Sequence, residues 1–435
     1  MSTEDTEGTE SKAEIKKQGR GAGQPLRHIR QPIIANHYTG WITSFVEQPP
    51  LMSLIRIPAV WMRGGTSKGL FVDPADLPAD PAQRDALLLR ALGSPDPYGT
   101  QMDGLGGATS STSKVALVSR STRPGFDLDY RFGAVTVSEA VIDWSGNCGN
   151  LSAAVGVFGL HRGLVAAPPD GVVTLRIWQA NLGQTILAHL PVQDGQPVED
   201  GDFHLAGVAF PGAEIVLDFL DPGGETALLP TGQPTDRLEV PELGVIEASL
   251  INAGNPTIFV RAADLGLTGT ESPSEFNRDT TLLARCEAIR AQGAVAMGLA
   301  GCAADATAHR PHTPKLAFVA PARAYRATDG SLIGADTVDL TARILSMGKL
   351  HHAFTATGAI ALAVAAMLPG SLARDALGAP LATGAEVRIG HAAGVMAVGA
   401  MVVSDHGQWR AEKVTTRRSA RRLMEGWVYI PAPAA

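Results

Sequence analysis

The chain has 435 residues, too many for one ordinary hydrophobic core, so two domains are expected. With 45% hydrophobic and 18% charged residues it reads as globular rather than disordered or fibrous, and a formal net charge of −7 argues against an electrostatic grip on nucleic acid. Three cysteines without a CxxC argue against a disulfide framework, no apolar run approaches the roughly 18 residues that span a bilayer, and no signal peptide is visible, so a cytoplasmic protein is expected.

Residues 1–53 are polar and Gly-rich with little to bury, which reads as a disordered extension, with Met52 a candidate initiator. From Leu54 onward, apolar runs such as AVWM (59–62), GLFV (69–72) and KVALVSR (114–120) read as strands between Gly/Pro turns. AQRDALLLRAL (82–92) is the first helix pattern. The second, LSAAVGVFGLHR (151–162), follows the turn Gly146-Asn147-Cys148-Gly149-Asn150 and is apolar nearly all round, as a central buried helix is. Strands resume in VTLRIWQ, TILAHLPV, EIVLDFL and TIFVRA. After them come a helix over TLLARCEAIRAQGAVAMGL (281–299), a strand in KLAFVAPA (315–322), a helix over VDLTARILSMG (338–348) and a second all-apolar helix, TGAIALAVAAM (357–367). Strand-rich halves, each with a small-residue helix, predict an α+β fold. Each of those helices comes after a strand opened by a lysine, Lys114 or Lys315, so the chain reads as an internal duplication with a cleft between its halves.

The turn at Cys148 carries the sharpest chemistry. A thiol at a helix start sits among free backbone N–H groups, which favour anions and thiolates, and flanking glycines allow close backbone approach. Two more Gly/Ser/Thr-rich stretches, around Arg63–Gly69 and Asp103–Lys114, bring hydroxyls and N–H groups beside Arg63, Lys68 and Lys114, a nest suited to carboxylates. The spacing of a phosphate loop is absent, as are a dinucleotide fingerprint, a nucleophile elbow and HExxH. His309, His312 and the pair His351-His352 lack metal-ligand spacing and read as capping, pairing or substrate-binding groups. Asp143 reads as a strand end. Cofactor-free, metal-free chemistry is expected.

These segments together resemble the PrpF family, the 2-methylaconitate cis-trans isomerases, through MRGGTSKG, SPDPYGTQMDGLGGATSSTSKV, DWSGNCGNLSAAVG, RIWQANLGQTILAH, INAGNPTIFV, HTPKLAFVAP, SMGKLHHAF and SARRLMEGWV. The resemblance runs from about residue 54 to the C-terminus. It implies a fold similar to diaminopimelate epimerase: two like domains, each a mostly antiparallel sheet wrapped around a central helix, with the active site between them. Residues 54–193 with about 412–432 would form the first domain and 194–411 the second, the last strand returning to the first. The family's catalytic lysine maps onto Lys114 and its active-site cysteine onto Cys148. Substrate-binding positions are expected at Arg63, Gly65, Thr66, Ser67, Lys68, Ser113, Asn147, Gly149 and Asn150, and in the second half at Lys315, His351, His352, Thr357 and Gly358. The epimerase relatives carry a cysteine in each domain. Thr357 stands at the second position here, which argues for a lysine-led isomerase over a two-thiol racemase.

The resemblance further implies an unsaturated tricarboxylate substrate, no cofactor, and proton removal from an allylic carbon with return at another face or carbon. A lysine acting as base must be neutral, which burial or neighbouring cations promote. DPYG and RIWQAN favour 2-methylaconitate, and with it the 2-methylcitrate cycle of propionate catabolism, over 4-oxalomesaconate or itaconate-type acids. The implied partners are an aconitase-like 2-methylcitrate dehydratase and further copies of the chain; neither nucleic acid nor membrane is expected. A non-catalytic accessory protein of that dehydratase is the alternative from another class.

Overall fold

The β-branched, apolar runs of the sequence pair into one continuous sheet that wraps two helices. The protein is seen in a computed structural model that describes residues 54–431, Glu225 excepted, and these lie within one compact unit. The stretch expected to be a disordered extension lies outside the described residues.

The first half contributes β1 (Leu54–Gly64), β2 (Ser67–Val72), β3 (Lys114–Arg120), β4 (Leu128–Val135), β5 (Gly171–Gln179), β6 (Gln184–Gln193) and β7 (Ile215–Leu220), with α1 (Pro81–Leu92) and α2 (Gly149–His161) between them. The second contributes β8 (Asp236–Val240), β9 (Gly244–Ala253), β10 (Asn255–Arg261), β11 (Lys315–Pro321), β12 (Leu340–Ser346), β13 (Glu386–His391), β14 (Gly394–Asp405) and β15 (Gln408–Arg418), with α3 (Thr280–Ala296) and α4 (Ala356–Met367). A last strand, β16 (Ala420–Pro431), closes the order.

Pairing repeats. β1 and β2 are antiparallel, β2 and β3 parallel across α1, β3 and β4 antiparallel, and β4 and β5 parallel across α2, with β6 and β7 added antiparallel. The same alternation runs from β9 through β15, with α3 and α4 as the crossovers. β15 also pairs with β7 and so sews the two runs together. β16 returns to β1, with Leu54 opposite Pro431.

The two crossover helices α2 and α4 form the cores. Gly149–Leu160 and all of α4 are buried on every side, as their uniformly apolar sequences require. Small residues let strands approach: a Cβ on Gly159 would lie 2.5 Å from Leu128 Cδ1. One sequence expectation fails. VDLTARILSMG is not a helix; its Leu340–Ser346 is β12, buried on both faces between β11 and β13. A continuous apolar run loses the period-two signal when both faces are covered, and so resembles a buried helix.

Phe158 anchors α2, 1% exposed and 5.7 Å from the Phe71 ring. Phe158→Ala is expected to lower the unfolding free energy by about 3–5 kcal/mol, measured by denaturant titration.

Candidate active site

The two helix starts meet at the centre of the molecule. Cys148 is the N-cap of α2 with φ −114° and ψ 92°, and no side chain caps that helix. Its first-turn N–H groups therefore have no helical partner and favour an anion. In α4 the cap is Thr355, whose Oγ1 accepts from the Gly358 N–H at 3.2 Å, so Thr357 lies within the first turn instead of at the position matching Cys148. The helix starts are close: a Cβ on Gly149 would lie 3.0 Å from Ala356 Cβ.

Two lysines face this junction. Lys114 and Lys315 open β3 and β11 and are 5% and 2% exposed. Lys114 Nζ lies 5.0 Å from the Phe132 ring centre. Lys315 Nζ donates to His312 O at 3.3 Å and to Ser346 Oγ at 3.4 Å. Burial, then the Lys114 charge, push Lys315 down to about 7, with Cys148 and Asp143 pulling the other way. This shift brings Lys315 within reach of the free-amine form near neutral pH.

An amide and a carboxylate fasten the two halves around the lysines. Asn255 Oδ1 accepts from the Asn147 N–H at 2.8 Å, while its Nδ2 donates to Asn147 O at 2.9 Å and Thr357 Oγ1 at 3.1 Å. Asp143 accepts from the Ser145 N–H at 2.7 Å and the His312 N–H at 2.8 Å. His312 is fully buried, and burial followed by the charges of Lys315 and Lys114 holds it well below the usual histidine range, so it is neutral. Arg418, also buried, donates from Nε to Asn150 Oδ1 at 3.2 Å; burial lowers it to about 10, and no carboxylate among the described residues pairs with it.

Between the lysines lies a small chamber of about 10 Å³, room for one water, lined by Ser67, Lys114, Cys148, His312, Lys315 and Thr357 among others. Ser67 Oγ, Asn147 Nδ2 and His312 Nδ1, all on chamber-lining residues, are buried without a hydrogen-bond partner. Unpaired buried polar atoms are costly, and three around one chamber suit a polar ligand. Beside the chamber lies an open cleft of about 1340 Å³, lined by Arg63, Gly65, Thr66, Lys68 and His352 among others. Ser67, Ser346 and His351 belong to both walls.

A histidine pair closes that shared wall. His351 Nδ1 accepts from the Ala353 N–H at 3.1 Å, which places its proton on Nε2, donating to Ser111 Oγ at 3.0 Å. The Ser111 hydroxyl then donates to His352 Nδ1 at 3.1 Å, and the two rings stack with centres 4.5 Å apart. Both imidazoles are pushed below the usual range, first by burial; for His351 the next cause is His352, and for His352 it is Lys114.

The expected residues thus divide. Ser67, Lys114, Asn147, Cys148, Gly149, Asn150, Lys315, His351 and Thr357 line the chamber, whereas Arg63, Gly65, Thr66, Lys68 and His352 line the cleft. Ser113 faces neither: its Oγ donates to Gln101 Oε1 at 2.5 Å and holds the preceding loop. Gly358 serves by lacking a side chain, since a Cβ would lie 2.2 Å from Ile344 Cδ1. Asp143, Asn255, Ser111 and Arg418 were not singled out as site residues from sequence, and His312 was grouped with His309, which lies on the surface bonded to Asp305. Among the described residues no cluster of three His, Cys, Asp or Glu could hold a metal ion.

Residues 54–431 match the family described as PrpF protein. A 2-methyl-aconitate isomerase of Shewanella oneidensis is 50% identical over 395 residues, covering 87% of this chain and 98% of its own. The crystal structure of a methylitaconate-delta-isomerase is 39% identical with a TM-score of 0.68, over 87% of this chain and 96% of that one. A hydroxyproline epimerase from Agrobacterium vitis, at 14% identity and a TM-score of 0.51 over 87% of this chain and 94% of its own, shares the fold.

The buried ammonium of Lys315 has a stability signature. Unfolded, this lysine keeps its proton up to about its ordinary value of 10.5, whereas folded it loses it near 7. The destabilisation is therefore full below pH 7 and shrinks as pH rises from about 7 to about 10. Lys315→Met is expected to raise the melting temperature at pH 7, with the gain fading toward pH 10; an equal gain at both would count against the buried charge.

Proposed function

Because the chain belongs to the PrpF protein family, we propose that it is a cofactor-independent isomerase of unsaturated tricarboxylates and that 2-methylaconitate is its substrate, interconverted between trans and cis forms. The lysine-lined chamber carries this reading: Lys114, Lys315 and Cys148 meet at an uncapped helix start, with the Asp143 carboxylate acting on Lys315 from nearby. Such a chamber accepts an anion and can move a proton, which is what isomerisation through an allylic carbanion needs.

The steps follow from the charges. An arriving carboxylate favours Lys315 as an ammonium, which suits it to stabilise negative charge while Lys114 serves as the base. Lys114 takes a proton from the carbon allylic to the double bond. The electron pair delocalises over the alkene and the adjacent carboxylate, where the Lys315 ammonium and the α2 N–H groups stabilise it. The former double bond gains single-bond character, the carbon skeleton rotates, and a proton from the Lys114 ammonium, or from the Cys148 thiol with the Lys114 proton then passing to the thiolate, restores the alkene in its other geometry. The proton count is unchanged over the cycle. Asn255 positions this chemistry by pinning residue 147, one residue before the cysteine, to β10.

The reading places the protein in the 2-methylcitrate cycle of propionate catabolism, in the cytoplasm, beside an aconitase-like dehydratase. Half-identity to a 2-methyl-aconitate isomerase across nearly its full length supports this substrate over 4-oxalomesaconate. An accessory protein without turnover has no need of two buried lysines around one chamber.

Proton NMR of trans-2-methylaconitate with the purified protein in deuterated water is expected to show the cis isomer with deuterium at the allylic position. Lys114→Ala is expected to lower kcat by a factor of about 10² to 10⁴, the usual worth of a positioned base. Full activity in that variant would remove Lys114 from the reaction.

A further inference from the structure

The chamber of about 10 Å³ cannot enclose a whole tricarboxylate, whereas the adjoining cleft is ample. A row of three cations stands in that cleft. Arg63 is in direct register with Arg421 of β16 on one side and with Lys68 of β2 on the other, and directly opposed residues share one face of a sheet. All three line the cleft. Like charges placed directly opposite one another destabilise a sheet, so the row calls for an anion.

No acid among the described residues supplies it. Arg63 donates from one guanidinium nitrogen to Gly65 O at 3.0 Å and Ser419 O at 2.9 Å, which fixes its plane and leaves its other N–H groups free. Glu199, the carboxylate that acts on Arg63, is bound by Arg422. Arg421 is exposed and makes no hydrogen bond or ion pair among the described residues, and Lys68 uses only its backbone N–H, donating to Ser111 O at 2.8 Å. The acids on the cleft wall are Glu139 and Glu287, and Glu287 is held by Arg290. Lys68 follows Ser67, which borders both cleft and chamber, so the row begins at the chamber wall.

We propose that Arg63, Lys68 and Arg421 form a second carboxylate subsite, outside the chamber, that holds the third carboxylate of the substrate while the reacting end occupies the chamber. The inference rests on the tricarboxylate reading and deepens it: the chamber selects for chemistry, and the row selects tricarboxylates over dicarboxylates. Arg421 lies in the SARRLMEGWV segment but outside the binding positions expected from sequence, and it is the cleanest to remove because its side chain makes no hydrogen bond or ion pair among the described residues.

The test uses two unreactive ligands that differ by one carboxylate, tricarballylate and glutarate, with binding to the full chain measured by calorimetry. The wild type is expected to prefer tricarballylate. Arg421→Gln is expected to weaken tricarballylate about tenfold, the worth of one charged hydrogen bond, and to leave glutarate unchanged. Arg323→Gln removes an exposed arginine that lies off the cleft and forms no ion pair among the described residues, and is expected to change neither. Undiminished preference in Arg421→Gln, equal loss for both ligands, or the same loss in Arg323→Gln would overturn the subsite. A wild type that shows no preference would overturn the tricarboxylate reading itself.

Discussion

Two lysine side chains buried around one chamber, with Asp143 the carboxylate set beside them among the described residues, are a costly arrangement, and much of the centre of the molecule is organised by that cost. Charges removed from water demand partners, and here the partners are incomplete: Asp143 is already occupied by backbone N–H groups, and Arg418 adds another unpaired cation on the far side of Asn150. The empty share of the balance is an anion. The site is therefore destabilised when free and relieved by the ligand it is built to hold, which is how binding energy is directed to a reacting group. The neutral histidines fit the same pattern, since each added positive charge would deepen the imbalance.

The repeat makes this possible with little sequence. Each run of strands wraps one apolar helix, and each delivers one lysine from the start of a strand and one helix start from the end of a turn. Brought face to face, two unremarkable halves give a lysine pair and two converging rows of N–H groups. The pair is not symmetric. Cys148 leaves α2 uncapped, whereas Thr355 caps α4, so the anion-binding end belongs to the first half and the second half supplies the amide clamp through Asn255 and Thr357.

How much of this could be read beforehand divides along physical lines. The central helices were legible because apolar sequence on every face has no other home than a core. The lysine-opened strands and the Cys148 turn were legible because glycine, asparagine and thiol at a helix start have few other uses. Leu340–Ser346 was misread because burial on both faces erases the alternation that marks a strand. Asn255 and His312 lie in recognised segments, but their contacts to Asn147, more than a hundred residues away, were not legible, because nothing in the local sequence records them. Ser113 shows the converse, a residue inside a telling motif whose side chain is spent on its own loop.

The pairing of β1 with β16 also sets an order in time. Along eleven residues of β1, the hydrogen-bonding edge that faces away from β2 is satisfied by a strand near the other end of the sequence. During synthesis β1 emerges more than three hundred residues before its partner, so that edge stays open while the intervening chain is made. The first half can gather around α2 in that interval, but it cannot finish, and an unpaired strand edge is a surface on which chains associate wrongly. Completion of the first half thus waits on β16, and a ribosome-bound intermediate would carry its vulnerability along the edge that β16 later covers.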